Sequence, residues 1–227
     1  MYDNIIVLTF AKGNFIDSQN KLKNHLDRIG INKQINLTQD DLPKSFLEEH
    51  KEILLYKRGY GYCIWKPFII LNELNKIGKE DILLYVDSTD LPLKPFFDSI
   101  VEHFKNNDYF FVNRGYNHGQ WTKRDTFVLM ECDSPEYHNS VQLEAGVVGL
   151  KNNDFNVKFV EEWYEFTKNK NILTEIQNVS GLPNINNFKE HRYDQSILTN
   201  LFIKNKLKSI NFGTDKIKYN YFQPSIY

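Results

Sequence analysis

RGYGYCIWKPFIILNELNKIGKEDILLYVDSTD, residues 58–90, decides how this chain is read. Its opening mixes cations, glycines and aromatics. A helix-length apolar stripe follows. Then comes an unbroken run, ILLYV, that ends on Asp87 and, three residues on, Asp90. A continuous apolar run of that length is the pattern of a strand buried on both faces. In open α/β sheets, ligands bind outside the carboxyl ends of such strands. Acids at that edge point to a site that holds a cation and an anionic substrate.

Upstream, residues 4–10 (NIIVLTF) read as a buried first strand and residues 11–14 as a turn. Asp17 or Ser18 is placed to cap a helix with Leu22 and Leu26 on one face, and Gly30 to end it. Residues 33–37 make a short second strand. A second helix within residues 40–56 turns Phe46, Ile53 and Leu54 inward, with His50 as a packed or surface histidine. Inside the opening stretch, Pro67 suits the first turn of a helix whose stripe is Ile70, Leu71, Leu74 and Ile77, and Gly78 is its expected C-cap.

Downstream, Pro92 and Pro95 break the chain before a helix over residues 95–104, with Phe97, Ile100, Val101 and Phe104 inward. Residues 109–112 read as a strand, 113–124 as a polar loop and 126–130 as a further strand. A loop at 134–140 leads to a strand over 142–150. Gly146 and Gly149 inside it mark a bulge or a close backbone approach. Asp154 is the expected cap of a helix whose stripe, Phe155, Phe159, Val160, Trp163 and Phe166, is core. The asparagine-rich connection 169–187 has the length of a lid. An amphipathic helix within 190–204, a last strand at 207–212 and an aromatic tail at 218–227 complete the chain. Strands alternating with helices predict one α/β, Rossmann-like domain over residues 1–227, with a mostly parallel central sheet flanked by helices.

Composition narrows the function. A chain of 227 residues can bury a full core as one domain. A net charge of -1 gives no whole-chain field to recruit nucleic acid or an anionic membrane. Aromatics at 15% fill a core and leave some tyrosine and tryptophan for a cleft. Cys63 and Cys132 are far apart and lack metal-ligand spacing, which fits a reducing compartment, with Cys63 a small apolar filler. No signal-peptide pattern and no membrane-length apolar run are seen. The expectation is a cytoplasmic protein, with peripheral association at the inner face of a membrane requiring a partner or a surface patch.

Two aspartates three apart, just past a strand, suit Mg2+ or Mn2+, which takes one or two carboxylates and bridges to substrate phosphates. Aspartate is equally a turn residue. Lys66 and Arg58 are candidates for charge-assisted contacts to phosphate. Tyr60, Tyr62 and Trp65 offer rings to a base or a sugar, with core packing the first role of Trp65. Asp194 precedes an apolar run, where it serves as a helix N-cap or as an active carboxylate.

YVDSTD resembles the DxD element of GT-A glycosyltransferases, which follows an apolar strand and holds a metal against a sugar-nucleotide diphosphate. LEAGVVGLKNN (143–153) and DQSILTN (194–200) are similar to two further segments of glycosyltransferase family 8. RGYGYCIWKP, DILLYVD and HRYDQS also resemble small bacterial and viral glycosyltransferase-like proteins. The resemblance spans most of the chain. It implies a metal-dependent glycosyltransferase that moves a sugar from a nucleotide-sugar donor to a saccharide or other hydroxyl acceptor, in surface polysaccharide synthesis. Carried onto this sequence, it implies Asp87 and Asp90 as metal ligands. Thr9, Arg58, Tyr62, Lys66, Asp87 and Ser88 would bind the donor. Asp194, Glu144 and Gln195 would be catalytic, and His118, Trp121, His191 and Arg192 would lie on the acceptor side. Thr89 stands where the second acid of DxD belongs, Glu144 stands for an asparagine, and no histidine follows His191. These departures sustain an alternative, a nucleotide-sugar or carbohydrate binding module on the same fold without catalysis.

Overall fold

The structure, a computed structural model, describes residues 2–211 and 222–223. In chain order the elements are β1 (Ile5–Ala11), α1 (Phe15–Arg28), β2 (Gln34–Thr38), a 3-10 turn (Gln39–Asp41), α2 (Lys44–Glu49), α3 (Lys51–Leu54) and α4 (Trp65–Leu74). Then come β3 (Ile82–Val86), β4 (Leu91–Pro92), α5 (Lys94–His103), β5 (Tyr109–Asn117), a 3-10 turn (His118–Gln120), α6 (Arg124–Leu129), α7 (Pro135–His138) and β6 (Val141–Lys151). The chain continues through α8 (Asp154–Thr167), α9 (Lys170–Leu173), α10 (Tyr193–Lys204), β7 (Ile210–Asn211) and β8 (Phe222–Gln223).

Six strands form one sheet in the order β2-β1-β3-β6-β5-β7. The pairs β1/β2, β1/β3 and β5/β7 are parallel, and only β6 runs against its neighbours. The expected mostly parallel α/β sheet is present. β4 and β8 form a separate antiparallel pair.

The pleat divides the core. Ile82, Leu84 and Val86 of β3 face one layer with Leu22 and Leu26 of α1 and Phe96, Phe97 and Ile100 of α5. Leu83 and Tyr85 face the other, with Ile69, Ile70 and Leu74 of α4, Phe159 and Trp163 of α8, and Ile197 and Leu201 of α10. This two-sided burial is why β3 alternates no polar residue and reads as a continuous apolar run.

β6 carries the predicted irregularity. Its pairing with β5 jumps from Phe111↔Val148 to Val112↔Glu144, so residues 145–147 bulge out of the ladder. At Gly149 a Cβ would sit 3.0 Å from Phe110 Cβ, so the aromatic layer requires glycine there.

Several local expectations are corrected. Residues 126–130 are not a strand, because Arg124–Leu129 is helical and closes with Cys132 N–H donating to Phe127 C=O at 2.7 Å. α1 starts after Asn14, so neither Asp17 nor Ser18 caps it. The helix expected in 40–56 is split at His50, whose Nε2 is 2.7 Å from Tyr164 Oη. α4 ends at Leu74 with Asn75 as C-cap, short of Gly78. Asn153, not Asp154, caps α8, and Phe155 is exposed. The strand expected at 207–212 is described only over Ile210–Asn211 and is followed by β8, and most of the tail at 218–227 lies outside the described residues.

Residues 59–63 hold the least ordinary backbone. All five have positive φ, at +57°, +49°, +75°, +55° and +61°. Together they make one left-handed turn, closed by Tyr62 N–H to Arg58 C=O and Cys63 N–H to Gly59 C=O. Trp65 Nε1 donates to Gly59 C=O at 3.0 Å, and Lys66 N–H donates to Cys63 C=O, so the turn is fastened to the start of α4.

Candidate active site

The site gathers at the carboxyl end of β3. Lys66, on the first turn of α4, is buried with its Nζ 3.2 Å from Asp87 Oδ1, 3.6 Å from Asp194 Oδ2 and 3.0 Å from Ala145 C=O. Burial alone would lower its pKa, but the two carboxylates more than offset this and hold the ammonium charged. Tyr85 Oη donates to Asp87 Oδ1 at 2.6 Å. The bulge of β6 is gripped from both sides, since Gln195 Oε1 accepts from Ala145 N–H at 3.1 Å while Lys66 takes the carbonyl.

Asp87 and Asp90 converge on Gly146. A Cβ at residue 146 would lie 3.0 Å from Asp87 Oδ2 and 3.6 Å from Asp90 Oδ2. Burial, then the charge of Asp87, raises Asp90 to about 7. Two crowded carboxylates, one of them reluctant to ionise, are a pair that a divalent cation would relieve. Lys66 occupies Asp87 Oδ1, and the Oδ2 atoms of both aspartates face Gly146. The residues therefore fit Mg2+ or Mn2+. Among the described residues no group of three or more histidine, cysteine or acidic side chains could hold a metal, so water or substrate oxygens would complete the shell.

Asp194 is not a helix cap. Arg192 holds that position, and Asp194 lies inside α10 with its side chain 5% exposed. Desolvation raises it to about 6, with Lys66 acting in the opposite direction. Trp163 Nε1 fixes its backbone by donating to Asp194 C=O at 2.9 Å. Glu144 stands one residue before the bulge, with Oε1 3.5 Å from Arg114 Nε, and burial raises its pKa.

Next to Asp87 opens a cleft of about 500 Å³, walled by Phe10, Tyr60, Trp65 and Tyr85, with Ser88 and Thr89 at the acid end. Trp65 stacks on Phe10 at 4.0 Å, so it is both core and wall. Lys12 Nζ lies 3.3 Å from the centre of the Tyr60 ring.

The structure brings Lys66, Asp87, Ser88, Asp90, Glu144, Asp194 and Gln195 together. Other candidates lie elsewhere. Thr9 is sealed in β1, and the cleft begins one residue later. Tyr62 is buried against Tyr56 and Tyr193, while Tyr60 takes the cleft wall. Arg58 is held by Glu175 at 2.9 Å and Glu190 at 3.2 Å. His118 is wholly buried, with Nε2 2.9 Å from Asn200 Oδ1 and Nδ1 3.0 Å from Thr122 Oγ1, and burial lowers it to about 4. His191 is buried with Nε2 2.9 Å from Ile172 C=O, and burial, then Lys123, lowers it to about 3. His118 is internal, while His191, bonded to the chain, borders the concave wall formed by residues 175–190. Trp121 lies under Arg192, 4.6 Å from ring centre to guanidinium, at the partly exposed edge beyond Glu144. Sequence reading missed Tyr85, Gly146 as the floor of the acid pair, and Phe10 in the cleft wall, whereas Tyr60 was among the rings it offered. The tyrosine immediately before Val86 and Asp87 was the available signal for the first.

Cys63 and Cys132 are free thiols, and among the described residues no helix is long and apolar enough to cross a membrane. No protein-family model matches the chain, and no curated protein matches it. Solved structures do. One is a glycosyltransferase involved in the glycosylation of the major capsid of PBCV-1, at 12% identity and TM-score 0.41 over 71% of this chain and 65% of that one. Another is the apo form of the glycosyltransferase GlyE of Streptococcus pneumoniae TIGR4, at 16% identity and TM-score 0.45 over 92% and 46%. A third is the apo form of mouse xyloside xylosyltransferase 1, at 13% identity and TM-score 0.46 over 91% and 84%. The chain thus spans 65% and 46% of the length of the first two.

Proposed function

We propose that the chain is a glycosyltransferase that takes a sugar from a nucleotide-sugar donor and passes it to a hydroxyl of a saccharide or other acceptor. The observation that carries this reading is the buried Lys66, held between Asp87 and Asp194 beside a cleft walled by aromatic rings. The rings suit a planar base, and the acid end of the cleft suits the diphosphate and sugar.

Glycosyl transfer builds positive charge on the sugar and negative charge on the departing diphosphate. Asp87 and Asp90 would hold a divalent cation, which supplies positive charge against the leaving diphosphate when bound. Lys66 keeps Asp87 oriented, and Tyr85 fixes the same carboxylate. Asp194 and Glu144 are the carboxylates available to steady the sugar's charge or to take the acceptor proton. Gln195 holds the bulge that places Glu144 and Gly146. A role in surface glycan synthesis at the cytoplasmic face of a membrane would follow from a lipid- or wall-linked acceptor.

A panel of sugar nucleotides, read by thermal shift and by nucleotide release with and without manganese, tests the reading. One donor that stabilises the protein and is turned over supports it. Binding without turnover, even with acceptors present, would turn the chain into the binding module of the alternative. No binding by any donor would sink both.

A further inference from the structure

The connection between α9 and α10 has no regular structure, yet it is pinned along its length. The buried Asp125 carboxylate accepts from Val179 N–H at 2.7 Å and from Ser180 N–H at 3.0 Å. Lys123 Nζ donates to Ile176 C=O at 2.9 Å. Asn184 Oδ1 accepts from Arg124 N–H and from Asn178 Nδ2. Further on, Lys189 N–H donates to Gln120 C=O and Arg192 N–H to Trp121 C=O. These ties replace the lid expected from the segment's length with a fixed wall. Lys123 and Asp125 are both buried charges, 4% and 0% exposed, and such groups persist only where they are well bonded. What they hold in shape is a concave surface of about 710 Å³.

We propose that this cavity is a saccharide-binding subsite, which receives the body of the acceptor chain while its terminal hydroxyl reaches the reaction cluster; the word acceptor rests on the glycosyltransferase reading. Glu175, Gln177, Asn184 and Glu190 line the cavity and offer carboxylates and amides to vicinal hydroxyls. Phe188, half-buried in the wall, offers a flat apolar face to sugar C–H groups. Lys123 and Lys189 line it as well, and Arg58 and Arg192 pair the two carboxylates, so the lining carries no excess of acid. Because the wall is already pinned, binding orders little of it. The cavity adjoins the site but is not part of it. Arg58 ties Glu175 and Glu190 to the left-handed turn on the donor cleft, Arg192 holds Glu190 at 2.8 Å, and Asp194 follows four residues after Glu190.

The test uses the full chain, isotope-labelled for amide NMR, with no nucleotide sugar present. The probes are maltohexaose, cellohexaose, chitohexaose and hexagalacturonate, each beside its own monosaccharide. At least one hexasaccharide is expected to shift the amides of Gln177, Phe188 and Lys189, with its monosaccharide much weaker. The double variant Gln177→Ala/Phe188→Ala should keep its melting temperature and bind that probe about tenfold more weakly or worse. No shift in residues 175–190 with any probe, shifts confined to the donor cleft, or full binding by the double variant would overturn the subsite. Saccharide binding here in a protein that releases nucleotide from no donor would keep the subsite and overturn the enzymatic reading instead.

Discussion

Replacing Asp194 by asparagine should make the protein more stable and less active at once. The Asp194 Oδ2 atom is buried, accepts no hydrogen bond, and faces Lys66 at 3.6 Å. Its carboxyl sits at about 6 rather than the ordinary 3.8, with desolvation outweighing Lys66. At about 1.4 kcal/mol for each tenfold in proton affinity, the ionised form costs the folded state about 3 kcal/mol relative to the unfolded chain. Asparagine keeps the shape and removes the charge, and Lys66 retains Asp87 and the Ala145 carbonyl. The folded pKa lies above the unfolded one, so the cost is fully present above pH 6 and disappears below pH 3.8. For a chain of this length, 1 kcal/mol moves the melting temperature by about 2–4 °C. Asp194→Asn should therefore melt about 6–12 °C above the wild type at pH 8, and the gap should close toward pH 4. Turnover, measured as nucleotide release plus product, should fall by roughly 10²–10⁴. A variant no more stable than the parent at pH 8, or a gap that ignores acidification, would refute the burial argument. Wild-type turnover would move the search for a base to Glu144.

Asp87→Asn should abolish turnover at any manganese concentration while the melting temperature changes little, because the side chain is 40% exposed; activity that survives a chelator in this variant would remove the metal from the site. Gly146→Ala places a methyl 3.0 Å from Asp87 Oδ2 and should cut turnover and manganese affinity together, as read by metal titration of the melting temperature; unchanged affinity would separate the acid pair from the metal. His191, lowered to about 3, is neutral in the fold, so its contribution to stability is present above pH 6.5 and is lost as the pH falls toward 3. His191→Gln should accordingly flatten the acid limb of the stability profile, read as melting temperature from pH 7 down to pH 3, and an acid limb as steep as the parent's would refute this.

The parts of the fold read most surely from sequence are those set by local pattern. β3 ends where the apolar run ends, and Gly146 and Gly149 announced the bulge and the close approach in β6. The run 126–130 failed because five apolar and β-branched residues are too few to separate a period of two from one of 3.6. Its helical state depends on partners far along the chain, including Thr126 Oγ1 donating to Ile172 C=O. Within the site, Lys66 was legible as a candidate charge, and its burial is consistent with its place between Trp65 and Pro67. The ion pair of Arg58 with Glu175 at 2.9 Å was not legible, because no spacing rule connects the two residues. His118 and His191 carry ligand-like side chains, and only their complete burial shows them to be internal.

The left-handed turn at residues 59–63 also bears on how the site is held. Tyr60, Tyr62 and Cys63 each occupy backbone space that an L-residue enters at a cost of roughly 1–2 kcal/mol. Gly59 and Gly61 enter that space freely, and the bond from Trp65 to Gly59 C=O helps to offset the cost at the other three. Lys66 N–H is bonded to the end of this turn, so the turn helps to place the cation between the two carboxylates. A molecule that has formed its sheet and both core layers but not this turn would have nearly the native secondary structure and no working site.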